Sequence, residues 1–132
     1  QARVITRLDH VRLSRRLAGG VVPPAAAEEY DDLLPNSDVV DSPTVPPQVV
    51  TMYSQVLLEG GDGGTPQKVC VCYPEDADPP SGFISVFSPL GMALLGLTVG
   101  QTARWQSPTG PERTADVAEI LFQPEATGDY TT

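Results

Sequence analysis

The sequence predicts an α+β protein, in which a short N-terminal antiparallel α-helical hairpin precedes an antiparallel β-sheet domain with one short helix. Three observations predict this order. Apolar residues recur at helical spacing before residue 36, prolines interrupt the next stretch, and β-branched residues dominate the remainder. The chain therefore divides into a hairpin at residues 1–36, a Pro-rich linker at 37–48 and a sheet domain at 49–132.

The first helix is expected over residues 5–17. Its apolar stripe consists of Ile5, Leu8, Val11, Leu13 and Leu17. The Thr-x-x-acid pattern from Thr6 to Asp9 is typical of a helix start, with Asp in place of Glu. The pair Gly19-Gly20 is expected to end the helix, because glycine is the usual residue just beyond a helix C-terminus.

The second helix is expected from Ala25 to Leu34, between Pro23-Pro24 and Pro35. The first helix is basic, with Arg3, Arg7, Arg12, Arg15 and Arg16 in it or just before it. The second is acidic, with Glu28, Glu29, Asp31 and Asp32. We expect these sets to lie side by side in the hairpin. Exposed ion pairs contribute only ~0.2–1 kcal/mol each, so they would select the pairing more than stabilise it.

The sheet domain is expected to contain five strands and one helix. The strands are predicted at residues 49–58, 67–73, 83–87, 102–106 and 114–122. The glycine-rich segment 59–64 is predicted to be a hairpin loop. The helix is predicted from Leu90 to Leu95, because Ser88 is a favourable N-cap and Pro89 suits the first helical position. Trp105 is expected to be a core or half-buried residue.

Composition excludes several classes of protein. The net charge of −9 disfavours nucleic-acid binding driven by charge, so partners are expected to be proteins. No segment is long and apolar enough to span a bilayer, and the N-terminal residues lack the apolar core of a signal peptide. Cys70 and Cys72 stand two positions apart, where a disulfide would be strained. We therefore expect a reduced, cytoplasmic protein.

The sequence offers no convincing catalytic or metal site, so no cofactor is expected. His10 is the only histidine and lacks an evident nucleophile partner. Cys70 and Cys72 are too few for a zinc site and are expected to be buried in the core. The acidic runs at 28–32 and 75–78 lack EF-hand spacing. The glycine-rich loop lacks the Lys-Ser/Thr of a phosphate-binding loop. These observations favour a binding module over an enzyme.

Several ordered motifs resemble one family. Residues 46–54 read P-P-Q-V-V-T-M-Y-S, residues 73–77 read Y-P-E-D-A, and residues 84–96 read I-S-V-F-S-P-L-G-M-A-L-L-G. Together with Q-P-E-A-T-G-D-Y at 123–130, these resemble the GreA/GreB family of transcription elongation factors. Within that family they are similar to the Rnk type, named as regulators of nucleoside diphosphate kinase. Tyr53 departs from the usual Asn of this pattern.

The resemblance implies an N-terminal coiled coil, a C-terminal FKBP-like domain and bacterial RNA polymerase as the protein partner. It implies docking at the polymerase secondary channel through Ser88, Pro89, Leu90 and Gly91. In Gre factors, acidic residues at the coiled-coil tip hold the magnesium that drives transcript cleavage. The corresponding tip here consists of Gly19, Gly20, Val21 and Val22, without a carboxylate. The arm is also short, at ~17 Å for about 11 residues. We therefore expect docking without transcript cleavage.

Two alternatives remain open at the level of sequence. The first is regulation of the level or activity of nucleoside diphosphate kinase, although no feature of the sequence indicates direct kinase contact. The second is prolyl isomerase activity, which an FKBP-like fold would suggest. That activity needs an aromatic-lined cleft, and the eight aromatic residues are scattered along the chain.

Overall fold

Two helices and a curled five-stranded sheet form most of the computed structural model, which describes residues 3–20, 22–60, 66–106 and 111–128. The helices are α1 (Arg7–Ala18), α2 (Pro24–Leu33) and α3 (Pro89–Leu94). The strands are β1 (Val4–Thr6), β2 (Asp38–Val40), β3 (Gln55–Glu59), β4 (Gln67–Cys72), β5 (Phe83–Ser85), β6 (Thr102–Gln106) and β7 (Glu112–Phe122). Short 3-10 turns lie at 42–44, 74–76, 79–81 and 124–127.

The two N-terminal helices form where the capping residues predict them. The Thr6 side chain accepts a hydrogen bond from the backbone N–H of Asp9, which fixes the start of α1. Gly19 follows the last residue of α1, and its N–H donates to the carbonyl of Arg15 over 3.0 Å. Helix α2 has a proline at its first position and ends beside Leu34, just before Pro35. The structure therefore contains both of the short helices that the sequence predicted in this part of the chain.

A small parallel sheet differs from the prediction. Residues 4–6 form strand β1 instead of the first turn of a helix, and they pair with β2, so that Ile5 lies opposite Val39. The predicted linker at 37–48 thus contains a strand and a 3-10 turn. The physical reason is that the N–H of Val4 also bonds the carbonyl of Gly96, so this segment is held between two parts of the chain. Such long-range pairing leaves no periodic pattern in a three-residue strand.

The main sheet has the strand order β5-β4-β3-β7-β6. The prediction of a purely antiparallel sheet is wrong, because β4 and β5 run parallel, with Cys70 opposite Phe83. Two 3-10 turns between them carry the chain back to the starting end of β4. The first predicted strand is also shorter, since β3 begins only at Gln55. A turn precedes it, in which the N–H of Ser54 donates to the carbonyl of Thr51.

One hydrophobic core joins the helices to the sheet. Helix α1 contributes Leu13 and α2 contributes Tyr30, and both are fully buried in one cluster with residues such as Val56 of β3 and Val86, which follows β5. Trp105 is half-buried and packs on the edge of this core, as predicted. None of the helices in the described ranges has the length and apolar character that crossing a membrane requires.

Candidate functional site

The predicted docking segment is a capped turn at the start of α3. The Ser88 hydroxyl accepts a hydrogen bond from the N–H of Gly91 over 3.1 Å. The same hydroxyl donates to the carbonyl of Ser85 over 2.6 Å. These two hydrogen bonds fix the turn to the end of β5. Pro89 then occupies the first helical turn and is exposed, whereas Leu90 is half-buried against the core.

Gly91 has a packing role that limits the docking surface. A Cβ atom at this position would lie 2.1 Å from the carbonyl oxygen of Ser85 and 3.0 Å from the Cα of Val86. Only glycine therefore lets α3 approach β5 this closely. The structure brings the four predicted residues together, but it presents mainly Pro89, with parts of Ser88 and Leu90, to a partner.

The predicted hairpin tip is smaller than the sequence indicated. Gly19 and Gly20 are exposed, and Gly20 adopts a φ of 74°, which favours glycine. Val21 lies outside the described residues. Val22 is buried and belongs to the core, so it does not form part of an exposed tip. The exposed part of the described tip is therefore backbone without a carboxylate.

An arginine-lined groove runs along α1 toward this tip. It has a volume of about 590 Å³ and is lined by Arg12, Arg15, Arg16, Gly19, Tyr73 and Glu75. Arg16 makes two hydrogen bonds to the Glu75 carboxylate, of 2.9 and 2.5 Å. The Arg16 guanidinium also stacks 4.1 Å from the centre of the Tyr73 ring. These bonds lower the pKa of Glu75 to about 2.

The ion pairs of α1 differ from the sequence prediction. Arg7 pairs with Asp41 at 2.9 Å, and Arg16 pairs with Glu75. Both partners lie outside the acidic set of α2, so these two pairs do not join the helices to each other. The Arg16–Glu75 pair instead ties α1 to the loop after β4. The acid of the Y-P-E-D-A motif was visible in the sequence, but its distance from Arg16 in the chain concealed the pairing.

The groove is bordered by an unusual backbone position. Tyr53 has a φ of 66°, a left-handed conformation that favours Gly, Asn and Asp. Its hydroxyl donates to the Asp76 carboxylate, and its ring lies 6.1 Å from the ring of Tyr73. The Asn that the motif at residues 46–54 has at this position would adopt this backbone with less strain. In this chain, Tyr53 adds side-chain contacts to the loop that also carries Glu75.

Asp9 of α1 and Glu125 of the 124–127 turn are two buried carboxylates that the sequence did not predict to lie near each other. Asp9 accepts a hydrogen bond from the N–H of Met52 over 3.3 Å, and Glu125 accepts one from the Thr51 hydroxyl over 2.7 Å. Burial raises the pKa of Asp9 to about 6. The N–H of Met52 opposes this rise, and the nearby Glu125 charge adds to it. These contacts hold α1 and the 124–127 turn against residues 51 and 52.

The structure does not bring His10 together with the two cysteines of β4 in one groove. His10 lines a separate groove between α1 and α2, opposite Asp31. Cys70 and Cys72 are free and buried, as predicted, and burial raises the pKa of Cys70 to about 11, so it is a neutral thiol at pH 7. Among residues 3–20, 22–60, 66–106 and 111–128, no three His, Cys, Asp or Glu side chains form a group that could hold a metal ion.

Comparison with known proteins shows which protein family this chain is similar to. The family model "Transcription elongation factor, GreA/GreB, C-term" matches residues 45–122. The regulator of nucleoside diphosphate kinase from Escherichia coli K12 is 38% identical over 86 residues, which cover 65% of this chain and 63% of that protein. GreA from Christiangramia forsetii is 33% identical over 92 residues, or 70% of this chain and 58% of GreA.

Solved structures agree with the sequence comparisons. A GreA/GreB elongation factor from Nitrosomonas europaea superposes with a TM-score of 0.76 and 30% identity, covering 92% of this chain and 99% of that one. GreA factor homolog 1 of Thermus thermophilus shares the fold, with a TM-score of 0.50 at 21% identity.

The helical pair and curled sheet thus define a protein built like the bacterial transcript elongation factors. The chain belongs to the GreA/GreB family. It spans less than two thirds of the length of the curated relatives described above.

Proposed function

We propose that this chain is a transcription regulator that docks on bacterial RNA polymerase at the secondary channel without stimulating transcript cleavage. Family membership is the observation that carries the proposal, because the family model covers residues 45–122 and the relatives include elongation factors. This function places the protein in the cytoplasm.

The docking surface in this proposal is the turn at Ser88, Pro89 and Leu90. The turn is held rigid by the two hydrogen bonds of the Ser88 hydroxyl, so it needs little ordering when a partner binds. Pro89 is its exposed apolar residue. Gly91 belongs to the same motif but is buried against β5, so it supports the turn without contacting the partner.

We expect no cleavage because helix α1 is short and the tip beyond it carries no carboxylate in the described residues. Helix α1 has 12 residues and is therefore ~18 Å long at about 1.5 Å per residue. Metal-assisted cleavage requires an oxygen ligand delivered to the catalytic ion. The described tip offers only Gly19 and Gly20 as exposed residues. The chain would then occupy the channel as a competitor of cleavage factors.

A pull-down with core RNA polymerase tests docking. We expect capture at micromolar concentration and weaker capture by the Pro89→Ala variant. Pro43→Ala is the matched control, because Pro43 is also exposed and also lies at the start of a short helical segment, as its second residue. Absence of binding by the unmodified chain would remove the proposal. Equal capture of both variants and the unmodified chain would remove Pro89 from the docking surface.

A second assay tests the cleavage half of the proposal. In backtracked elongation complexes, adding the protein is expected to leave the rate of transcript shortening at its intrinsic value. When a cleavage factor is also present, adding the protein is expected to slow shortening by competition. Rapid shortening with this protein alone would show that the tip argument is wrong.

The similarity to the E. coli regulator of nucleoside diphosphate kinase supports a second candidate function. In that case the chain regulates the level or the activity of this kinase. Purified protein added to a nucleoside diphosphate kinase assay distinguishes the two routes. A change in turnover indicates direct action on the enzyme, and unchanged turnover leaves only an effect on its level.

A further inference from the structure

The arginine groove concentrates positive charge on an otherwise acidic chain. Arg12, Arg15 and Arg16 have the i, i+3, i+4 spacing that places side chains on one face of a helix. They line one groove together, although the chain carries a net charge of −9 and only eight basic residues. Arg15 is exposed, and Arg12 and Arg16 are half-buried. The proposed docking turn and the proposed tip leave these arginines without an assigned role.

The chain itself shows which chemical group this groove accepts. The Glu75 carboxylate is held by both terminal nitrogens of Arg16, in the forked geometry that guanidinium and carboxylate groups favour. The Tyr73 ring supports the guanidinium from the other side. The pair is open to solvent, with 29% of the Arg16 side chain and 59% of the Glu75 side chain exposed, so a competing carboxylate can reach Arg16.

We propose that the groove binds an acidic segment of a partner protein, whose carboxylates contact Arg15 and Arg12 and displace Glu75 from Arg16. The proposal does not depend on polymerase binding. Nucleic acid fits the groove less well than a carboxylate segment does. Tyr73, the aromatic residue of the groove, is only 4% exposed and offers no free face for base stacking.

Fluorescence polarisation with a labelled hexaglutamate peptide tests the proposal in low-salt buffer. We expect binding that weakens with added salt. Arg15→Gln is expected to raise the Kd about two- to fivefold, in line with the loss of one exposed ion pair. Glu75→Gln is expected to lower the Kd, because it frees Arg16 for the peptide.

Matched controls separate a local site from net charge. Arg7→Gln is the control for Arg15→Gln, because it removes one positive charge from α1 outside the groove. Glu119→Gln is the control for Glu75→Gln, because it removes one negative charge from an exposed side chain of β7. Both are expected to leave the Kd nearly unchanged. The proposal is overturned if the peptide does not bind, or if each control matches its groove variant. Tighter binding of a labelled six-nucleotide RNA than of the peptide would overturn it in favour of a nucleic-acid surface.

Discussion

At the scale of single residues, Asp9 is a buried carboxyl whose raised pKa makes the stability of the fold depend on pH below neutrality. Its pKa in the folded protein is about 6, above its ordinary value of 3.8, mainly because the carboxyl is buried. The folded state therefore binds a proton more tightly than the unfolded state. The resulting stabilisation is complete below pH ~4 and is lost as the pH rises through about 6.

We predict that Asp9→Asn removes this pH dependence. The amide oxygen can still accept the hydrogen bond from Met52, but it carries no charge. The difference in unfolding free energy between the unmodified chain and this variant should shift by on the order of 2–3 kcal/mol between pH 4 and pH 7.5. Urea unfolding across this range measures it. A constant difference would contradict the assignment. The Glu75 pair acts in a separate window, since its stabilisation is lost as the pH falls toward about 2.

Tyr53 provides a second prediction at this scale. Its φ of 66° is costly for most residues but tolerated by Asn. Tyr53→Asn and Tyr53→Ala both remove the ring and its bond to Asp76, so their difference isolates the backbone. We predict that the Asn variant is more stable than the Ala variant by ~0.5–1 kcal/mol. Urea midpoints at one pH measure this difference. Equal midpoints would show that the left-handed backbone does not decide the preference.

Residue-level features were predicted unevenly from the sequence. Thr6, Ser88 and Pro89 were predicted because capping acts between neighbours in the chain. The Asp9–Met52 and Arg16–Glu75 contacts were not predicted, because each joins residues more than forty positions apart. Capping interactions between chain neighbours can be predicted from a single sequence. Contacts between residues that only the fold brings together cannot.

At the scale of elements, the docking of α2 depends on one buried hydroxyl. Tyr30 is fully buried, and its hydroxyl donates to the carbonyl of Val86 over 2.6 Å. Its ring also meets Phe87 edge-to-face, with the centroids 5.7 Å apart. These contacts hold α2 against the turn that leads into α3. This element pairing therefore supports the proposed docking surface from behind.

We predict that Tyr30→Phe destabilises the protein by about 1–3 kcal/mol, because the Val86 carbonyl loses a buried partner while the ring packing remains. Tyr53→Phe is the matched control. It removes a hydroxyl whose bond to Asp76 is exposed, and it should cost less than ~1 kcal/mol. Thermal unfolding of both variants compares them. Similar losses would show that burial of the Tyr30 hydroxyl contributes nothing beyond an exposed bond.

Elements were predicted best where their ends carry proline or glycine. The end of α1 at Gly19, the start of α2 at Pro24 and the start of α3 at Pro89 all lie close to the prediction. The parallel pairing of β4 with β5 was missed, because the direction of β5 depends on the path of the connecting loop. The pairing of β1 with β2 was missed for a related reason, since each strand is only three residues long.

At the scale of the whole molecule, the helical part and the sheet domain are in direct contact, although the sequence suggested two separate parts joined by a linker. The side chain of Arg3 bonds the carbonyls of Met92 and Leu95, and the N–H of Val4 bonds that of Gly96. Leu13 shares one apolar cluster with residues of every strand of the main sheet or their flanks. A core that is continuous across both parts favours unfolding as a unit.

We therefore predict a single cooperative unfolding transition. Circular dichroism at 222 nm reports chiefly on the helices, and fluorescence of Trp105, the only tryptophan, reports on β6 of the sheet. The two urea midpoints should coincide.

Leu13→Ala removes a fully buried side chain of α1 and should lower the unfolding free energy by about 2–5 kcal/mol. Both midpoints should then fall together, although the mutation lies far from Trp105 in the sequence. Leu121→Ala, at an exposed side chain of β7, is the control and should move neither midpoint appreciably. If Leu13→Ala lowers only the circular dichroism midpoint, the hairpin unfolds independently and the division at the Pro-rich segment holds.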